Sequence, residues 1–266
     1  MMEKNLLTGI QNVPLSISWS SKGGHFEFFG SASLYVNIPS SRKMANFGSL
    51  QGILTSPVEK IDLEHLPERF AREAIRIPDT KGSSAFVEGS IILREGKGGL
   101  KILTVSSSFT IGREPEFTLS VQREGLTACP CSMGEMRTRL EKMHPLLKNY
   151  PDIPVITHSQ RSRITVSIKA EKTVSYLNLL SEIGEEAFGN TLSFTGSNDQ
   201  INEMLLRSHQ NPLLVEDVSR RAISLAKEKI KDPGPLKEFK VECTSFESIH
   251  AYNAYSKKIL VYSDQS

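Results

Sequence analysis

Two thiols stand one residue apart in Leu126-Thr127-Ala128-Cys129-Pro130-Cys131-Ser132. A structural zinc site wants wider spacing and a second thiol pair. The only other cysteine is Cys243, so a four-thiol site is excluded. Two readings stay open: loop cysteines without a task, or one thiolate ligand of a catalytic metal that keeps an open position. His158 lies in a polar stretch, Thr157-His158-Ser159-Gln160-Arg161-Ser162, that enters a β-prone run. A solvated loop or the lining of a site accounts for it. Glu247 and His250 would share a face if their segment were helical. A carboxylate beside an imidazole there suits proton transfer, or a metal ligand with its orienting partner. Glu216 and Asp217 follow Asn211-Pro212. They fit a helix first turn, where the dipole favours acids, or a carboxylate that clamps a base edge. His25, His65 and His144 have no evident partner, His209 falls on a predicted helix beside Arg207, and all four read as structural or surface residues.

These groups need elements to hold them. Runs 26–38, 84–93, 100–111, 117–124, 163–170, 236–244 and 257–262 are β-prone, several with clear alternation, which predicts strands. The Gly-rich stretch 95–99 predicts a hairpin. Helical spacing predicts helices over 58–77, 134–147, 173–188, 199–209 and 213–231. The order is hairpin, helices, hairpin in each half, which predicts an α+β chain of two similar antiparallel-sheet modules, 1–125 and 126–266.

Lys plus Arg is 32 and Asp plus Glu is 30, a net charge of +2, too even to argue for nucleic acid or a charged membrane surface as partner. Charged residues at 23% and hydrophobic ones at 38% exclude collagen-like, coiled-coil and wholly disordered chains. Three cysteines are too few for a disulfide scaffold, which suggests a reducing compartment. No apolar run approaches the roughly 18 residues of a membrane span, and residues 1–13 lack the features of a signal peptide. The expected location is the cytoplasm.

Four segments in collinear order resemble the type IB GTP cyclohydrolase family, including its archaeal branch. They are Leu126 to Ser132, Thr157 to Ser162, His209-Gln210-Asn211-Pro212 with Val215-Glu216-Asp217, and Phe246-Glu247-Ser248-Ile249-His250. In the N-terminal half the resemblance rests on element order and on Tyr35-Val36-Asn37-Ile38-Pro39, similar to the family's strand ending in proline. The resemblance implies a bimodular tunnelling fold, with helices on one face of each sheet module. Modules from separate chains then join into an oligomeric β-barrel, as a homodimer or homotetramer. It implies that GTP is the substrate. The guanine imidazole ring opens, carbon-8 leaves as formate, and a dihydroneopterin phosphate forms for pterin biosynthesis. That product is the triphosphate in bacterial members and the 2′,3′-cyclic phosphate in archaeal ones.

The resemblance also implies roles. Cys129 and His158 match the family's metal ligands. His250 pairs with Glu247 in acid/base work or touches the metal itself. The archaeal branch implies Fe(II), with Zn or Mn as alternatives. Glu216 matches the carboxylate that accepts from guanine N1–H and the 2-amino group. Arg161, Ser162 and Lys43 are expected near the phosphates, where arginine's planar fork suits the chemistry. Two departures stand out. Where the family has an acidic metal ligand this chain has Ile201, with Asp199 and Glu203 nearby and Glu203 preferred. Lys43-Met44-Ala45-Asn46 keeps only the Met of a family His-Met-Ser-Arg stretch. The competing reading is a tunnelling-fold paralogue with altered or lost catalysis that binds a purine or pterin.

Overall fold

The computed structural model describes residues 5–21, 24–57, 63–94, 100–192 and 197–262. Its frame is one eight-stranded sheet with strands side by side in chain order, every neighbouring pair antiparallel. The strands are β1 (Leu6–Ser21), β2 (Gly24–Ile38), β3 (Gly82–Arg94), β4 (Leu100–Ile111), β5 (Glu116–Ala128), β6 (Ser159–Ala170), β7 (Leu236–Ser245) and β8 (Ala254–Val261). Helices α1 (Phe47–Leu54) and α2 (Leu66–Ala74) lie between β2 and β3. Helix α3 (Pro130–Met143) and a short 3-10 turn (Pro145–Asn149) lie between β5 and β6. Helices α4 (Leu177–Phe188), α5 (Asn198–Gln210) and α6 (Val215–Lys229) lie between β6 and β7. Strands and helices follow the α+β order expected from the sequence.

Alternation places the core. In β5, Phe117, Leu119 and Val121 are buried, while Thr118, Ser120 and Gln122 between them are half-exposed. The buried face carries the helix layer: α2 packs on β3 and β4, α4 on β5 and β6, and α6 on β7 and β8. Helix α4 contributes Leu180, Ile183, Ala187 and Phe188, and α6 contributes Val215, Val218, Ala222 and Ala226, both at helical spacing. Burying a ring such as Phe117, Phe188 or Phe239 stabilises the fold by about 1.5–3 kcal/mol each. Helix α4 ends at Gly189, whose φ of 69° is the left-handed cap that glycine adopts without strain.

Four elements differ from the sequence expectation. Strand β1 has no clean alternation because Asn12 sits at φ 56° where the register shifts between Ile10 and Val13, and Pro14 follows. It is the outer strand, where a proline's missing N–H costs no ladder bond. Helix α1 is short and contains two glycines; it forms because the Asn46 side chain caps Ser49 N–H and Leu50 and Leu54 reach the core. Helix α3 starts at Pro130, ahead of the expected 134, and Pro130 suits a first turn. The expected helix over 58–77 is observed as Leu66–Ala74, with 58–62 outside the described residues. The glycine loop 95–99 lies outside them as well.

Gly125, the expected boundary, lies inside β5, which pairs with β4 on one side and β6 on the other. The halves also meet in the helix layer. Glu64, just before α2 and 5% exposed, accepts the Leu177 backbone N–H at the start of α4. His65 Nε2 lies 3.3 Å from Ser175 Oγ.

Candidate active site

Three segments converge where β5, β6 and β7 end or begin. Ala128 at the end of β5 pairs with Ser159 at the start of β6. Beyond that pair, Cys129 N–H lies 3.5 Å from the His158 carbonyl. Ser245, the last residue of β7, pairs with Ser162, and Phe246 N–H donates to the Arg161 carbonyl at 2.9 Å. The chain then turns through 246–253 and returns as β8.

Within this corner Cys129 is the N-cap of α3; its Sγ accepts the Ser132 N–H at 3.4 Å. The thiol is half-buried and Cys131 is exposed. His158 is half-buried, with Nδ1 3.2 Å from Gln160 Oε1. A carboxamide oxygen only accepts, so Nδ1 carries the proton in that contact and Nε2 is left with a lone pair for a ligand. The His250 ring lies 6.1 Å from His158 between centroids, with planes at 88°. On its other side His250 stacks on Tyr252 at 5.0 Å and 6°.

One thiol and two imidazoles would make a mixed soft and borderline donor set, which fits Fe(II), Zn or Mn less cleanly than a uniform set would. The Gln160 contact is the kind of support that fixes a ligating histidine's tautomer. Among the described residues no three His, Cys, Asp or Glu side chains stand close enough to enclose an ion in this conformation. The donor chemistry fits a divalent ion, with the ligand set incomplete.

The remaining expected residues are distributed around the sheet. Glu203 is exposed on α5 and paired with Arg207 at 2.7 Å; Asp199 and Ile201 are exposed in the same helix. Among the described residues no hydrogen bond or ion pair joins these side chains to the Cys129 corner. Glu247 is half-buried, and 246–253 is a turn-rich loop, so no helical face brings Glu247 to His250. Lys43 is exposed in the turn after β2, beside Arg42, which pairs with Asp79. Arg161 and Ser162 point to opposite faces, as strand alternation requires. Ser162 is fully buried, its hydroxyl 2.7 Å from that of Thr127. Arg161 faces the open side with Arg163. Both guanidinium groups lie over Phe246, at 5.5 and 5.2 Å, and both contact Glu124, at 3.5 and 2.8 Å. Glu124, Arg161, Arg163, Gln122 and Thr104 line a cleft of about 400 Å³ on that face.

Glu216 opens α6 and is exposed. Its neighbour Asp217 is engaged in capping, accepting from Leu214 N–H at 3.1 Å and pairing with Arg220 at 2.7 Å. Burial, reinforced by the Glu216 charge, pushes the Cys243 thiol on β7 up to about 12. That thiol is an inert core group.

The sequence marks His209 and Thr157 only as members of the resembling segments and assigns neither a contact. His209 is 3% exposed, with Nε2 3.2 Å from the Thr157 carbonyl. Thr157 in turn donates its hydroxyl to Ser132 Oγ at 2.9 Å. The contact leaves no signal because the partner of His209 is a backbone carbonyl far away in the chain.

The sequential antiparallel sheet with its helix layer is a fold also seen in a crystal structure of uricase from Arthrobacter globiformis. The TM-score is 0.57 over all of this chain and 96% of the other, at 7% identity, a likeness of fold alone. Residues 7–256 match the family described as type I GTP cyclohydrolase folE2. GTP cyclohydrolase MptA of Thermoplasma volcanium is 30% identical over 238 residues, covering 85% of this chain and 81% of that one. GTP cyclohydrolase FolE2 of Syntrophotalea carbinolica is 29% identical over 147 residues, 55% of this chain and 47% of that one. The chain belongs to the type I GTP cyclohydrolase folE2 family and is an enzyme of that class. No helix among the described residues is long and apolar enough to cross a membrane.

Proposed function

We propose that this chain is a metal-dependent GTP cyclohydrolase that opens the guanine imidazole ring, releases carbon-8 as formate and yields a dihydroneopterin phosphate for pterin synthesis. The observation that carries the reading is the meeting of Cys129, His158 and His250 at one end of the sheet, from three separated segments. Cys129 and His158 would hold the ion, with His250 as a further donor and Fe(II) preferred over Zn or Mn. Such an ion supplies Lewis acidity that activates water near neutral pH.

The chain's own residues do the rest. Glu216 accepts two hydrogen bonds from guanine N1–H and the 2-amino group. Adenine cannot offer that donor pair, so the carboxylate selects the base. His250 carries a proton to a ring nitrogen as the C8–N bond breaks, its ring stacked on that of Tyr252. Glu247 serves as the second proton carrier. Arg161 takes the phosphates, with Lys43 approaching from the turn after β2. Glu203 is the acid that would complete the ligand set, after releasing Arg207. Chains assembling as a β-barrel of two or four would supply the neighbouring strand that the open sheet edge lacks, in the tunnelling arrangement of two modules per chain. The reaction's setting is the cytoplasm.

The test is anaerobic incubation of Fe(II)- or Mn(II)-loaded protein with GTP. Stoichiometric formate, a new pterin absorbance and a product mass that reports the phosphate form are expected. Absence of both formate and pterin from metal-loaded protein would overturn the proposal.

A further inference from the structure

We infer that His209 is a positioning residue for the Cys129–His158 corner, acting through Thr157; this rests on the metal reading above. Helix α5 is almost wholly exposed, and its buried residues are Ser208 and His209 at the C-terminal end. The His209 ring is wedged between two carbonyl oxygens. Nδ1 lies 2.8 Å from Leu205 O, with Ser208 Oγ at 3.4 Å, and Nε2 lies 3.2 Å from Thr157 O. Carbonyl oxygens only accept, so each contact needs a proton on its own ring nitrogen, and the one to Thr157 is a hydrogen bond when Nε2 carries it. That N–H ties the last turn of α5 to the backbone one residue before His158.

Thr157 is held at its other end as well. Its hydroxyl donates to Ser132 Oγ, and the Ser132 backbone N–H donates to Cys129 Sγ. Cys129 N–H meets the His158 carbonyl and closes the circuit. The thiol and the imidazole are thus spaced by a loop of hydrogen bonds with Thr157 as its node and His209 as its anchor. Without the anchor, residues 154–158 form no regular secondary structure to hold them. The same helix carries Asp199 and Glu203, so one contact also sets where α5's acids stand relative to the corner.

The experiment titrates Co(II) into wild-type protein, His209→Leu, His209→Gln and Thr157→Val, following thiolate-to-cobalt charge transfer, with steady-state turnover and thermal unfolding alongside. Supports around a metal site typically change affinity by about 10-fold or more. His209→Leu and Thr157→Val are expected to bind Co(II) about that much more weakly, with kcat reduced more than KM changes. His209→Gln, whose amide N–H reaches a similar position, is expected to stay close to wild type. Thr157→Val keeps the His209 contact and decides the matter even where His209→Leu does not fold. Equal Co(II) affinity in all variants, with a lowered unfolding midpoint alone, would overturn the inference and leave the metal reading intact. Wild-type protein that takes up no Co(II) overturns the metal reading and this inference with it.

Discussion

His250 stands edge-on to His158 at 6.1 Å and face-on to Tyr252 at 5.0 Å, so one imidazole is oriented by two rings at right angles. An aromatic stack of this kind contributes about 0.5–1.5 kcal/mol beyond burial. Tyr252→Ala is therefore expected to lower kcat by a factor of about 2–10 with little change in KM. Cys129→Ala and His158→Ala should instead lose both bound metal and turnover. Metal content by elemental analysis beside steady-state kinetics separates the two kinds of change.

Glu216→Gln offers guanine one acceptor where the carboxylate offers two. A hydrogen bond to a charged group is worth about 1.5–3 kcal/mol, so kcat/KM for GTP should fall about 10- to 100-fold. The loss should appear in KM, and thermal stability should hold, because Glu216 is exposed. Unchanged kinetics for this variant would remove the guanine clamp from the proposal.

Cys243 gives the fold a pH dependence with a defined sign. Its thiol is raised from an ordinary 9.0 to about 12 in the folded protein, by burial first and the Glu216 charge second. The folded state therefore holds this proton more tightly than the unfolded chain. The stabilisation is complete below pH 9 and is lost between pH 9 and about 12, at about 1.4 kcal/mol per pH unit. Urea unfolding of wild type and Cys243→Ala from pH 8 to 10.5 should show a steeper decline in the wild type. Native alkylation followed by mass spectrometry should label exposed Cys131 first and Cys243 only after unfolding.

Gly125 faces the Phe188 ring of α4 so closely that an added Cβ would lie 2.5 Å from it. Gly125→Ala must push α4 away from β5. Overpacking of this kind costs about 1–3 kcal/mol, readable as a lowered unfolding midpoint. An unchanged midpoint would mean that α4 yields without cost.

The strands from β2 to β7 were legible because one face of each is buried, and that burial writes alternation into the sequence. The outer strand β1 was not, since its bulge at Asn12 and its Pro14 interrupt the period. Cys129 and His158 could be picked out as polar interruptions beside β runs. The start of α3 could not, because a thiol is not a usual cap, yet Cys129 caps that helix. Arg161 and Ser162 are both expected near the phosphates, but strand geometry sends adjacent side chains to opposite faces. His209 stands in one of the resembling segments, but its contact is not legible there because the partner is a distant backbone oxygen.

The carboxylate of Glu64, lodged against the first turn of α4, has a practical consequence. Anyone wishing to produce the site-bearing C-terminal portion by itself would have to replace two things that the rest of the chain lends it. One is a neighbouring strand along the outer margin of β5; the other is an acid to satisfy the exposed amide of Leu177. A truncated version lacking both would present a raw ladder of peptide groups and an uncapped helix, an invitation to aggregate.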